Sequence, residues 1–344
     1  MNITICGGGN LGHVCAGFLA SQEENQVSLL TTKPDLWSHH INVVDNKGKV
    51  YQGRLSRISC KPSEVIPDAE MVLLCLPGYA IANELEAIAA YLAPSCWVGT
   101  IVSNTGFFFE AFKNLPKSQP LFGFQRVPFI SRIIQYGKEA ELKGYKDSLS
   151  IAVEQTENKE TIRNRLEQLF CTPVKLLGSH YEVSLSNSNP LLHTSRLYTM
   201  WHDWKPGVSY ERNPGFYSEW TIEASELYIA MDEEFQLLLR RLGLKEGCIP
   251  TVLKYYESKD AESLTKKISS IPAFQGIASP MMLNKFGMYE PDFTSRYFTE
   301  DFNYGLKYIH QKCQECKLLC PDIDFVYNWG VKCLNKNFKL SSDN

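Results

Sequence analysis

His193, in "NPLLHTSRLY", and Arg296, Glu300 and Asp301, in "TSRYFTEDFNYGL", are the side chains whose types and spacing best suit proton and carboxylate chemistry. An imidazole exchanges a proton near neutral pH, and a carboxylate behind it fixes the tautomer and stabilises the imidazolium. An arginine fork holds a carboxylate through paired hydrogen bonds. Each has a plain alternative: His193 as a core imidazole, and Arg296 with Asp301 as a surface pair worth little. His180, His202 and His310 lie in similar helical surroundings and have no better claim by type. On residue chemistry alone both readings stand.

A second chemistry is written at the N-terminus. In "MNITICGGGNLGHVCAGFLASQ" a short alternating strand runs into glycines and then into helical periodicity. Gly7, Gly9 and Gly12 fit G-x-G-x-x-G: a tight turn, a backbone that can approach a pyrophosphate, and close helix–strand packing. The helix start, which includes Asn10 and Leu11, offers N–H groups and a positive dipole end to phosphates. The expected cofactor set is therefore Gly7, Gly9, Asn10, Leu11 and Gly12, continued after the next strand by Thr31, Thr32 and Lys33. An NAD site usually carries an acidic residue there for the ribose diol. Two hydroxyls and a lysine suit a 2′-phosphate better, so the expectation leans to NADP over NAD. Asp35, after Pro34, reads as a carboxylate in the first turn of a helix.

The elements that must position these groups fall into two halves. Strand and helix patterns alternate through "EMVLLCLP", "IANELEAIAAYL", "CWVGTIVS", "QPLFGF", "DSLSIAVEQ", "NKETIRNRLEQLF" and "PVKLL". This predicts an α/β Rossmann-type domain over residues 1–178, a doubly wound and mostly parallel sheet. Its ligand edge would carry the turns at Pro77-Gly78 and Asn104-Thr105-Gly106. Beyond Gly178 long helical runs dominate, predicting an all-α domain over 179–344, with the active site expected in the cleft between the two. Asn189-Pro190 reads as the start of the helix that carries His193. In "FQRVPFISR", Arg126 and Arg132 follow a strand and suit a substrate carboxylate or a cofactor phosphate; an ordinary surface role suits them equally.

Bulk properties bound the function. The chain has 344 residues, 44% hydrophobic and 21% charged, which is ordinary for a globular protein of two domains. A net charge of -3 gives no reason to expect nucleic acid as a partner. The longest apolar run is broken by Pro77-Gly78 and carries Glu84 and Glu86, so a membrane span is not expected. Eleven scattered cysteines without a signal-peptide pattern read as reduced thiols of a cytoplasmic protein. His310, Cys313, Cys316 and Cys320 share helical spacing, but one helix seldom presents four ligands tetrahedrally, so a packed face and no metal is expected. The expected partners are small molecules, and the sequence is compatible with a homodimer.

The glycine-motif domain, the N-P-x-x-H segment "NPLLH" and the later R-x-x-x-E-D-x-x-x-G segment together resemble the opine dehydrogenase family, which includes octopine and nopaline dehydrogenases. The match spans both halves, and the order of the segments agrees. The resemblance implies that His193 and Asp301 are the catalytic pair and that Arg296 holds the keto-acid carboxylate. It implies no equally firm role for Glu300. The implied reaction is NAD(P)H-dependent reductive condensation of an α-amino acid with an α-keto acid such as pyruvate. Two alternatives remain. One is a ketopantoate reductase-like keto or hydroxy acid reductase, although those use a lysine and Lys205, before Pro206, does not fit that role. The other is a dinucleotide-binding sensor without catalysis.

Overall fold

The structure is a computed structural model and describes residues 1–341, with the side chains of 105 and 336–341 outside the described set. The chain divides into Met1–Ser186 and Asn187–Asn344. The boundary therefore falls after 186 rather than after the expected 178. The reason is a short helix, His180–Ser184, whose Val183 joins the core of the first unit and whose His180 bonds Glu154.

The first unit opens with β1 (Asn2–Cys6), α1 (Asn10–Ala20), β2 (Gln26–Leu30), β3 (His40–Asp45), β4 (Val50–Ser59), α2 (Pro62–Val65), β5 (Met71–Leu74) and α3 (Gly78–Ala89). It continues with β6 (Trp97–Thr100), α4 (Phe107–Asn114), β7 (Leu121–Phe124), β8 (Phe129–Gln135), β9 (Glu139–Tyr145), β10 (Leu149–Glu154), α5 (Lys159–Phe170), β11 (Val174–Leu176) and α6 (His180–Ser184). One sheet orders these strands β11-β10-β7-β6-β5-β1-β2-β4-β3-β9-β8. The stretch from β7 to β4 is parallel throughout. Successive residues of β5 show how it is covered: Met71 and Leu73 face a core built with α1 and α5, while Val72 and Leu74 face one built with α3 and α4. A parallel strand buried on both faces must be apolar without a break, and "MVLL" is.

β3, β4, β8 and β9 extend the sheet beyond what the sequence led us to expect. They pair largely as two antiparallel hairpins, and their side chains alternate between buried and exposed, as in β3, whose burial alternates around Ile41 and Val43. Pro34–Leu36, where Asp35 was expected to open a helix, is a three-residue 3₁₀ turn. Arg126 donates to the Ser186 carbonyl, and Arg132 lies on β8 and donates to the Ser131 carbonyl.

The second unit contains α7 (Asn189–Trp201), α8 (Ile222–Arg241), α9 (Val252–Tyr255), α10 (Ala261–Ser270), α11 (Arg296–Thr299), α12 (Lys307–Glu315) and α13 (Pro321–Ser341). A two-stranded antiparallel ribbon, β12 (Met281–Leu283) with β13 (Tyr289–Pro291), is added to the helices. Among the described residues no helix is long and apolar enough to cross a membrane.

Candidate active site

Proline at the first turn starts α7 where the sequence placed it, and puts His193 one turn in. The facing segment is unusual. Between α11 and α12 the chain makes a π turn, Phe302–Leu306, closed by the Leu306 N–H donating to the Asp301 carbonyl at 2.7 Å. Gly305 in that turn lies against Pro190: a Cβ there would meet the proline Cγ at 2.5 Å and its Cβ at 2.9 Å. Only a residue without a side chain allows this approach. The two segments are thus locked together at Pro190 and Gly305, and one turn away from that contact on each lie His193 and Asp301.

His193 Nδ1 donates to Asp301 Oδ2 at 2.8 Å, which leaves Nε2 as the acceptor in the neutral ring. Nε2 takes a hydrogen bond from the Tyr217 hydroxyl at 2.7 Å. His193 is 8% exposed and Tyr217 5%, so both bonds lie away from bulk water. Burial pushes the Tyr217 phenol well above its ordinary value. Tyr217 also stacks on Phe274, ring centroids 4.1 Å apart. Tyr297 packs its ring 4.8 Å from His193.

Neither Tyr217 nor the residue that places it was anticipated from the sequence. Arg196, one turn after His193 and 4% exposed, donates to the carbonyls of Phe216 and Glu219 at 3.2 and 2.7 Å. It also donates to the Thr221 hydroxyl at 3.4 Å, so one guanidinium grips the irregular segment that carries Tyr217. Burial pulls this arginine down to about 10. The signal available was an arginine three positions after the histidine in "HTSR"; nothing in "NPGFYSEW" marks Tyr217 as its neighbour.

Arg296 does not turn to Asp301. Its Nε and Nη2 each donate to a Glu300 oxygen at 3.0 Å, and its side chain is 84% exposed. Those bonds hold the guanidinium above its ordinary value. Glu300, without an expected role, is thus the present occupant of the arginine fork. The His/Cys run, which extends past the end of α12, packs instead of converging: His310 Nε2 meets Asp324 at 3.1 Å and its ring stacks on Tyr327, while Cys313 and Cys320 are buried. Among the described residues no three His, Cys, Asp or Glu side chains are grouped to hold a metal ion.

In the first unit, Gly7 has φ +114°, and a Cβ there would meet the Cys75 carbonyl at 2.6 Å; a Cβ on Gly12 would come closer still to the Gly7 carbonyl. α1 has no side-chain cap and no acidic residue in its first turn, which leaves its positive end open to an anion. Asn10 Oδ1 accepts from Ile133 N at 2.8 Å, and Leu11 packs on the core. Cys6 pairs in register with Leu30, so the glycine turn and Thr31-Thr32-Lys33 leave adjacent parallel strands at the same edge. Thr31 is buried, while Thr32 and Lys33 are exposed. These features fit a dinucleotide. A further residue, His13, is fully buried behind the turn: Nδ1 donates to the Gly9 carbonyl at 2.9 Å, and Nε2 accepts from Gly137 N at 2.8 Å. Burial lowers its pKa.

Residues 176–334 match the family model described as NAD/NADP octopine/nopaline dehydrogenase, alpha-helical domain. The helical unit thus carries the domain of the octopine/nopaline dehydrogenase family. Residues 3–115 match the model described as ketopantoate reductase PanE/ApbA, a match that falls within the first unit. Among similar proteins, the opine dehydrogenase of Haliotis discus hannai is 25% identical, covering 100% of this chain and 92% of that one. The tauropine dehydrogenase of Arabella iricolor is 26% identical over 98% of this chain and 92% of its own length. An octopine dehydrogenase solved with NADH and L-arginine superposes with a TM-score of 0.85 at 22% identity, covering 97% of this chain and 90% of that one. At that identity the likeness establishes the fold, a Rossmann-type unit followed by a helical one.

Proposed function

We propose that this protein is an NAD(P)H-dependent opine dehydrogenase that condenses the amine of an α-amino acid with the carbonyl of an α-keto acid such as pyruvate and reduces the resulting imine. The observation that carries this reading is the 2.8 Å hydrogen bond between His193 and Asp301, made by two family segments 108 residues apart. His193 is the proton carrier: it gives a proton to the oxygen that departs as water, and Asp301 stabilises the imidazolium. Arg296 is assigned to the keto-acid carboxylate, which would take over the fork now filled by Glu300. Gly7, Gly9, Asn10, Leu11 and Gly12 would hold the pyrophosphate of a nicotinamide dinucleotide at the open end of α1. When bound, that cofactor supplies the hydride for the imine carbon.

NADP is the preferred form in this proposal, because exposed Thr32 and Lys33 offer a hydroxyl and a cation where a ribose-binding carboxylate would otherwise stand. A tighter dissociation constant for NADH than for NADPH would overturn that preference. A cytoplasmic location is proposed with it, in keeping with the buried cysteines Cys6, Cys15 and Cys75.

The deciding experiment follows NADPH and NADH absorbance with pyruvate, alone and with pools of amino acids. Oxidation that needs both substrates supports the opine reaction. Oxidation with the keto acid alone points to a reductase of the kind matched by residues 3–115. Binding without turnover makes the chain a sensor.

A further inference from the structure

Both ring nitrogens of His193 are engaged by side chains, a carboxylate on Nδ1 and a phenol on Nε2. Asp301 holds Nδ1. Nε2 faces the Tyr217 hydroxyl at 2.7 Å, and Tyr217 is 5% exposed. We propose that Tyr217 is the relay hydroxyl through which His193 exchanges its catalytic proton. The proposal rests on the reading of His193 as proton carrier.

The relay balances without any oxidant or reductant. As the Tyr217 O–H bond breaks, a new O–H bond forms on the substrate oxygen that leaves as water. The His193 Nε2–H bond breaks as Tyr217 regains a proton. The imidazolium ends neutral, the phenol is unchanged, and the oxygen has gained one proton. Three features suit Tyr217 to this. A buried phenol held well above its ordinary value stays protonated, so it conducts a proton instead of storing a charge. Stacking on Phe274 fixes the ring, and the grip of Arg196 on the Phe216 and Glu219 carbonyls fixes its backbone. A tyrosine serving only as packing would need none of this aim toward Nε2.

The test uses the full-length chain with ¹⁵N-labelled histidine, as wild type and Tyr217→Phe. In Tyr217→Phe the His193 Nε2 resonance shifts, because its hydrogen-bond donor is gone; an unmoved resonance overturns the proposal whether or not an opine substrate has been found. With turnover in hand, Tyr217→Phe lowers kcat about 100-fold while cofactor affinity stays at the wild-type level. Its rate in H₂O–D₂O mixtures changes from a curved dependence, two protons in flight, to a linear one. A kcat for Tyr217→Phe within about threefold of wild type, or an unchanged isotope dependence, overturns the relay. Wild-type protein that oxidises no cofactor with both substrates present fails the opine reading instead, and the resonance then judges Tyr217 alone.

Discussion

His13 and His193 are both buried, and in both the two ring nitrogens are hydrogen-bonded, yet their partners differ in kind. His13 is held by backbone: the Gly9 carbonyl on one side and the Gly137 N–H on the other. Neither group can take up or release a proton near neutral pH, and Trp37 and Tyr136 close over the ring. His193 is held by a carboxylate and a phenol, both of which can rearrange their protons. The same imidazole is a strut in one place and, in the proposed reaction, a proton carrier in the other. Burial alone does not distinguish them; the chemistry of the two hydrogen-bond partners does.

The largest effect should come from His193→Ala. We expect turnover to fall about 10³-fold with cofactor affinity unchanged, measured by steady-state kinetics and by fluorescence titration with NADPH. An equal loss of cofactor binding would make His193 a second strut and erase the contrast. Asp301→Asn comes next, with kcat down about 100-fold, because an amide can neither hold the tautomer as firmly nor balance the imidazolium charge. Turnover that stays near wild type would leave Asp301 a structural partner.

Gly305→Ala sharpens the comparison from the backbone side. Its new methyl must push against Pro190, costing about 1–3 kcal/mol of stability in thermal or denaturant unfolding and lowering kcat by loosening the His193–Asp301 bond. Full stability in this variant would show that the two segments do not need their close contact. The smallest effect concerns His13. Its pKa is lowered in the fold, so the unfolded chain binds the proton better, and stability is whole above the unfolded value of about 6.5 and is lost as pH falls below it. His13→Gln should flatten that acid dependence and weaken NADPH binding, with kcat at saturating cofactor largely kept. An unchanged acid dependence would mean other groups govern it.

These contrasts were unequally legible in the sequence. The glycine turn was readable because its spacing follows from local sterics: Gly7 and Gly12 must meet the Cys75 and Gly7 carbonyls closely, and only glycine can. The joining of His193 to Asp301 was suggested by resemblance, since nothing local links residues 108 apart. Tyr217 and Arg196 were invisible for the same reason: their meeting depends on how an irregular segment folds back on α7. The strands β3, β4, β8 and β9 went unread because edge hairpins alternate polar and apolar residues, without the continuous apolar run that marks β5. His13 is hidden in the sequence because it is one more residue of a helical run, and only Gly137, 124 residues away, reveals its task.

The π turn at Phe302–Leu306 gives the spacing R-x-x-x-E-D-x-x-x-G a meaning of phase. A turn closed from residue i to i+5 holds one residue more than an ordinary α turn, and each residue advances a helix by about 100°. Removing a single residue between Asp301 and Leu306 would leave the helical path continuous while swinging Asp301 about 100° around it, away from the imidazole. The extra residue acts as an angular offset between the helix that follows and the carboxylate that precedes it. A one-residue deletion there would disarm the site more thoroughly than many substitutions, with hardly a hydrogen bond lost from the helix itself.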